Sequence, residues 1–289
     1  PPGSAVLLSL PLASLRRAER TSTYSSESNV LRVGAVAYAP SVVTIFQGIK
    51  RYLNSKGLAS DYVLYSNYDA LVRALHQGEV DVAWNTPLAH AQFHVQANGK
   101  SKTLVMRDID RGFQSVLIAR KDANVKALED LKGKTLVLGS RQAAEATVLP
   151  KYYLAKQGFT FDNVKLLRLD VKKDWDGCPC YSPASVLQSV VKGYGQTGII
   201  SMSLWKRMPK KTKNQLRLIW ASPKYSHCVF TAREDLDSKR AKMFTDIMTS
   251  MSATDSHTAD VMRLEGCKKW LPGQQAGFED LVKALQQDN

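Results

Sequence analysis

Short apolar runs of strand character alternate with helical segments from Leu31 onward, and this alternation limits the fold more than any other feature of the chain. Leu31–Ala37 reads as a strand ending at Tyr38, Ala39 and Pro40. Ser41 is placed to cap a helix whose Val42, Ile45, Phe46, Ile49, Tyr52 and Leu53 recur at helical spacing until Gly57 stops it. Tyr62–Tyr65 is the next strand. Asn67 then opens a helix carrying Leu71, Val72 and Leu75, closed by Gly78. Val80–Trp84 is a third strand, followed by Asn85, Thr86, Pro87 and a further helix. Strands separated by helices pair in parallel, with the helices on the faces of the sheet. Ligands of such sheets sit beyond the carboxyl ends of the strands. Here those ends carry Tyr38, Tyr68, Asn85 and Thr86, all able to hydrogen-bond.

The pattern restarts at Gln114–Arg120. Lys134–Leu138 is a strand ending at Gly139 and Ser140, and a helix follows over Ala143–Gln157 with a break at Pro150. Val164–Leu169 and Gly198–Met202 are further strands, and Val186, Leu187, Val190 and Val191 mark a helix from Ala184 to Gly193. Leu216–Trp220 and Cys228–Ala232 lead into helices over Ser238–Ser252, Thr258–Glu265 and Phe278–Gln287. The expected fold is α/β with two lobes, each a mainly parallel sheet flanked by helices. Residues 30–112 and 222–289 form the first lobe, and residues 113–221 form the second. The hinge is expected to cross near Asp110–Gln114 and Ala221–His227, with Arg107, Asp108 and Asp110 supplying its salt bridges. A chain of 289 residues suits two lobes, because single cores stop growing near about 250–300 residues. Residues 1–29 are rich in Leu and Ser, with Arg16, Arg17 and Arg20 against Glu19 and Glu27, the composition of a mitochondrial or plastid targeting remnant or of a mature N-terminal tail.

Charge and reactive residues narrow the chemistry. Forty Lys and Arg against 26 Asp and Glu give a net charge of +14, which favours an anionic partner. The cluster Lys206, Arg207, Lys210, Lys211 and Lys213 has no aromatic ladder beside it and reads as a solvated loop rather than a nucleic-acid site. No apolar run reaches the roughly 18 residues of a membrane span. Cys178 and Cys180, with Cys228 and Cys267 far away, leave free thiols, a disulfide in the loop or a zinc site open, with free thiols the default. Asp170, Asp174 and Asp176 read as a solvated turn. His90 and His94 stand one helical turn apart without the glutamate of a zinc protease, so they are surface or core histidines. No nucleophile arrangement, phosphate loop or metal motif is present. An enzyme, a cofactor and a metal are therefore not expected.

Taken in order, Val33–Pro40, Tyr65–Tyr68, Gly78–Pro87, Leu128–Lys134, Gly139-Ser140, Trp220–Tyr225, Leu264–Gly266 and Trp270–Gly273 resemble the phosphate- and phosphonate-binding solute receptors of ABC transporters. The resemblance spans about residues 31–286 and implies a type II periplasmic-binding fold that closes on a ligand without catalysis. It also implies an extracytoplasmic location and a membrane transporter as partner. Such receptors hold their anion with hydroxyls and backbone N–H groups at a helix N-terminus. The matching loop is Gly139–Thr147, with Ser140, Arg141 and Gln142 as candidate ligand residues. Ala143, Ala144 and Glu145 stand where hydroxyls would help, and Glu145 facing the cleft would repel an anion, with Arg141 as compensation. Gln196 stands where relatives that bind aminophosphonates carry an acid.

Two functions are therefore expected from the sequence. The first is capture of a small oxyanion by Tyr38, Tyr68, Asn85, Thr86, Ser140, Arg141 and Gln142. The second is a receptor fold retired into an accessory subunit of a larger, organellar assembly, favoured by the eroded loop, by Gln196, by the tail and by the charge.

Overall fold

A computed structural model of the protein describes residues 29–141, 143–169 and 183–287. Gln142, the Cys178 and Cys180 pair, the three aspartates of that loop and the tail up to residue 28 lie outside the described residues.

Two mixed sheets make up the molecule. The first begins with β1 (Leu31–Val36), α1 (Ser41–Ser55), β2 (Ser60–Tyr65), α2 (Tyr68–Gln77), β3 (Val82–Asn85), α3 (Pro87–Gln96) and β4 (Ser101–Arg107). The chain then crosses to β5 (Ser115–Arg120), β6 (Thr135–Leu138), a π-helical turn (Ala144–Val148) running into α4 (Leu149–Lys156), β7 (Lys165–Arg168) and α5 (Pro183–Val191). The second sheet is completed by β8 (Thr197–Ser201), α6 (Met202–Arg207), α7 (Lys210–Lys213) and β9 (Leu216–Ala221). A second crossing returns through β10 (Val229–Arg233) to α8 (Ser238–Thr249), α9 (Ala259–Glu265), β11 (Trp270–Pro272) and α10 (Phe278–Gln287). Strand order is β11-β4-β10-β3-β1-β2 in one sheet and β7-β6-β8-β5-β9 in the other.

Each sheet has a parallel part, β3-β1-β2 and β7-β6-β8, to which antiparallel strands are added. The expectation of mainly parallel sheets is corrected here. A strand that enters a sheet from the crossing must run away from it, so β10 is antiparallel to β3 and β4, and β5 to β8 and β9. The same rule fixes where the ends meet. β1, β3 and β4 finish, and β10 starts, at the edge nearest the crossings. Ser201 at the end of β8 and Ala221 at the end of β9 lie opposite Ser115 and Val116 at the start of β5.

The helix caps follow local chemistry. Asn67 accepts from the backbone N–H of Ala70 at 2.9 Å, and Gly78 closes α2 in the left-handed region. Ser41 does not cap α1: Pro40 is the N-cap residue and offers no side-chain bond. The buried face of α1 is Val42, Ile45, Phe46, Ile49, Tyr52 and Leu53, as its spacing requires. These pack on an aromatic core in which Phe230 meets Trp84, Phe244 and Trp270 at centroid distances of 4.7, 5.3 and 5.6 Å.

α10 ties the two halves together. It packs on α3 and α4, and its Leu281 and Ala284 join an apolar cluster with Ala91, Leu149, Tyr152 and Tyr153. The Tyr153 hydroxyl donates to Asp280 at 3.0 Å. Gly277, just before α10, has φ of +83°, and a Cβ there would lie 2.3 Å from the Tyr225 Cβ, so only glycine passes. The basic cluster on α6 and α7 is exposed apart from half-buried Lys213, whose ammonium lies 4.8 Å from the Trp205 ring centroid.

Candidate functional site

The two crossings run side by side. Phe113 and Tyr225 exchange backbone hydrogen bonds at 2.8 and 3.0 Å, forming a bridge between the sheets. Around it lies a buried ionic cluster drawn from both halves. Arg107, at the end of β4, donates from Nε to Asp110 Oδ2 at 2.6 Å and from Nη2 to Oδ1 at 3.1 Å. Its Nη1 reaches Glu265 Oε2 at 3.0 Å. Asp110 Oδ1 also meets His227 Nδ1 at 3.0 Å, and His227 Nε2 faces Glu145 Oε2 across 3.6 Å. Side-chain exposure is 2% for Asp110 and Glu265 and 15–19% for Arg107, His227 and Glu145.

Burial disfavours charge on each of these groups, but the partners decide its sign. The Arg107 guanidinium is held well above its usual value, because Asp110 and Glu265 outweigh its burial. Burial also works against the His227 imidazolium, yet Cys228, Asp110 and Glu145 outweigh it and raise its pKa well above the ordinary histidine value. Asp110 and Glu145 are lowered despite their burial, Asp110 by His227 and Arg107, Glu145 by His227. Glu265 is raised, because burial and nearby Asp110 exceed the help from Arg107.

A pH dependence follows. His227 is raised on folding, so its contribution is complete below about 6.5 and declines as pH climbs through the folded value. Asp110 and Glu145 are lowered, so their contribution is present above about 4 and disappears in more acid solution. Glu265 is raised, so its contribution declines as pH rises above about 4.5. Stability is expected to be greatest near about pH 4.5 and to fall on the alkaline side by at most about 1.4 kcal/mol per pH unit for each of Glu265 and His227. Urea midpoints from pH 5 to 9 check this. The slope above about pH 6.5 should be smaller in His227→Gln, and an equal slope there in that variant would refute the assignment.

Of the sequence-derived candidates on the first sheet, Tyr38 and Tyr68 lie within electrostatic reach of this cluster. Tyr38 follows β1 and is 57% exposed, yet burial of its hydroxyl end, then Glu265, pushes the phenol up to about 12. Tyr68, the first residue of α2, is also raised, by burial and then by Cys228 and Tyr38. Both phenols therefore lie within electrostatic reach of Arg107 and Glu265. Thr86 caps α3 by accepting from the Ala89 N–H at 3.3 Å, which leaves its own O–H to donate. Asn85 is fully buried at the end of β3, and neither its Oδ1 nor its Nδ2 has a partner among the described residues. From the second sheet, Ser140 is half-buried after β6 and Arg141 is exposed.

Three expectations change here. Glu145 faces a cation rather than open solvent, so its charge is matched by His227. Gln196 lies at the amino end of β8, where its Oε1 accepts from the Thr135 N–H at 2.8 Å. It is a peg between strands, remote from the carboxyl end where Ser201 stands, and its identity says nothing about amine recognition. The sequence offers no nucleophile arrangement, yet the fold brings Cys228 Sγ to 3.2 Å from His227 Nδ1, with Asp110 on the same nitrogen. A nucleophilic relay needs thiol and acid on opposite ring nitrogens, so this geometry is not one. The same three residues are close enough for a metal, but the two Asp110 oxygens already serve Arg107 and His227. His90 Nδ1 is bonded to Thr231 Oγ1 at 2.8 Å, and burial lowers its pKa to about 3, as befits a neutral core histidine. Arg107 and Asp110 form an ion pair, as the sequence suggested. Asp108 is in no ion pair among the described residues, and its carboxylate accepts from the Lys268 N–H at 3.2 Å instead. His227 and Glu265 were not singled out by the sequence.

Residues 35–278 match the model of the family described as ABC transporter, phosphonate, periplasmic substrate-binding protein. The chain belongs to that family. It is therefore a solute-binding protein rather than an enzyme, and the family's partners are a small ligand and a membrane transporter. It is 28% identical over 243 residues to the protein named Probable ABC transporter phosphite binding protein PhnD1 of Prochlorococcus marinus (strain MIT 9301), covering 78% of this chain and 77% of that one. The structure of PhnD1 in complex with methylphosphonate superimposes with a TM-score of 0.66 at 19% identity, covering 90% of this chain and 98% of that one. XAC2383 from Xanthomonas citri, bound to ATP, superimposes with a TM-score of 0.69 at 18% identity and the same coverage. These likenesses establish the type II binding-protein fold.

Proposed function

We propose that this binding protein captures a small phosphorus oxyanion, of the phosphite, methylphosphonate or phosphate class, between the two sheets. Tyr38, Tyr68, Asn85 and Thr86 contact it from the first sheet, and Ser140, Arg141 and Gln142 from the second. The observation that carries the reading is that Tyr38, just after β1, and Tyr68, at the start of α2 just after β2, both lie within electrostatic reach of Arg107 and Glu265. Asn85 supports it as a buried amide whose polar atoms lack partners among the described residues, a state that is costly unless something binds there. The phosphite and methylphosphonate named for PhnD1 supply the ligand class. The domain assignment, residues 30–112 with 222–289 against 113–221, belongs to the same proposal, with closure about the Phe113–Tyr225 bridge. The accessory-subunit reading loses one of its supports, because Gln196 is a structural peg.

Thermal-shift titration tests the proposal. A ligand present at 100 times its Kd adds about 2.7 kcal/mol, a shift of several degrees. A saturable shift with one of the three oxyanions, lost in the Tyr38→Ala, Tyr68→Ala double variant, is the expected result. No shift with any of them at millimolar concentration would overturn it.

A further inference from the structure

The buried cations at the hinge differ in how completely they are used. Arg107 spends Nε, Nη1 and Nη2 on Asp110 and Glu265, both almost fully buried. His227 has its Nδ1 on Asp110, but its buried Nε2 makes no hydrogen bond among the described residues, since Glu145 stands off at 3.6 Å. The ring cannot swing to improve that contact. Phe113 stacks on it at 4.3 Å and 17°, and the His227 N–H is bonded to the Asp110 carbonyl at 2.9 Å. Nor is the Glu145 backbone loose, because the Ser115 hydroxyl donates to its carbonyl at 2.6 Å, and Ser115 is itself bonded to Tyr225.

We infer that Glu145 is an internal counter-anion standing in for the ligand: it neutralises His227 in the empty protein and yields Nε2–H to an oxyanion oxygen on binding. This rests on the oxyanion reading above and names its specificity-determining pair. The groups facing the imidazole are Asp110 and Cys228 at Nδ1, Glu145 at Nε2 and the Phe113 ring on its face. Of these, only the Glu145 carboxylate meets the ring at more than hydrogen-bond distance, so it is the partner an oxyanion can replace. An oxyanion at Nε2 makes the charge-assisted bond that Glu145 does not. It must also displace or repel a carboxylate, so the wild-type protein binds anions more weakly than its cation allows.

The two residues are thus expected to act in opposite directions, which a purely structural bridge would not produce. Calorimetric titration with phosphite and methylphosphonate should give about 10-fold or tighter binding in Glu145→Gln and at least about 10-fold weaker binding in His227→Gln. A second measurement needs no variant: the His227 ring nitrogen resonance of the wild-type protein should move on addition of phosphite. Wild-type binding that Glu145→Gln leaves unchanged or weakens, or binding without movement of that resonance, would overturn this inference alone. Absence of binding by wild type and by folded Glu145→Gln would overturn it together with the oxyanion reading, whereas binding by the variant only would support it.

Discussion

Arg107→Ala is expected to cost about 3–5 kcal/mol of folding stability, the penalty for removing one partner of a buried ion pair. Two carboxylates, Asp110 and Glu265, would be left with side-chain exposures of 2%. The loss should be read from urea midpoints and should appear as a fall in Tm on the order of 10 °C. It should shrink at low pH, because Glu265 already sits above its ordinary value and takes up a proton readily once the guanidinium is gone. A double variant, Arg107→Met with Glu265→Gln, removes the pair together while leaving Asp110 on His227, and should recover part of the stability, since uncharged neighbours of similar volume avoid the desolvation cost. A loss below about 1 kcal/mol in the single variant would mean that water reaches the carboxylates and that the cluster is not the dry hinge described above.

Phe230→Ala is expected to cost a similar amount, about 3–5 kcal/mol, for a different reason. Phe230 is fully buried in β10, the strand by which the chain returns to the first sheet, and lies between β3 and β4. Its ring touches Phe46, Trp84, Phe244 and Trp270, so truncation leaves a cavity walled by rigid rings that cannot collapse into it. Phe230→Leu keeps more of the volume and should cost clearly less. Chemical denaturation of the two variants compares them directly, and equal losses would show that the site repacks around either side chain.

Much of the fold was legible because its signals are local. The apolar face of α1, the Asn67 cap, the Gly78 stop and the Thr86 cap each depend on residues within a turn or two of one another. β4 and β11 were not legible. In β4 only Leu104–Met106 is buried, after a polar start, and β11 is three residues ending in Pro272, so neither has enough pattern to stand out. The antiparallel strand β5 was recognised as a strand and the β10 segment only as a lead into the last helices; the direction of both follows from the crossings, which no short window contains. The candidate ligand residues at strand ends were readable by the same logic, since an α/β alternation itself says where strands finish. The hinge cluster was not: Arg107 and Glu265 are 158 residues apart, and His227 and Asp110 are 117 apart.

By itself, the sequence determined most of the strands and helices, the two α/β halves and the family likeness, because periodicity and turn chemistry act over a few residues. Only the tertiary structure decided what the charges do. A carboxylate such as Glu145 reads as a repulsive defect in the sequence and becomes half of an ion pair once a crossing segment brings His227 to it. Gln196, read as a lost ligand residue, proves to be a sheet contact. The reason is physical: the charge state and partner of a buried group depend on desolvation and on groups a few ångströms away in space, and chain separation carries no information about either.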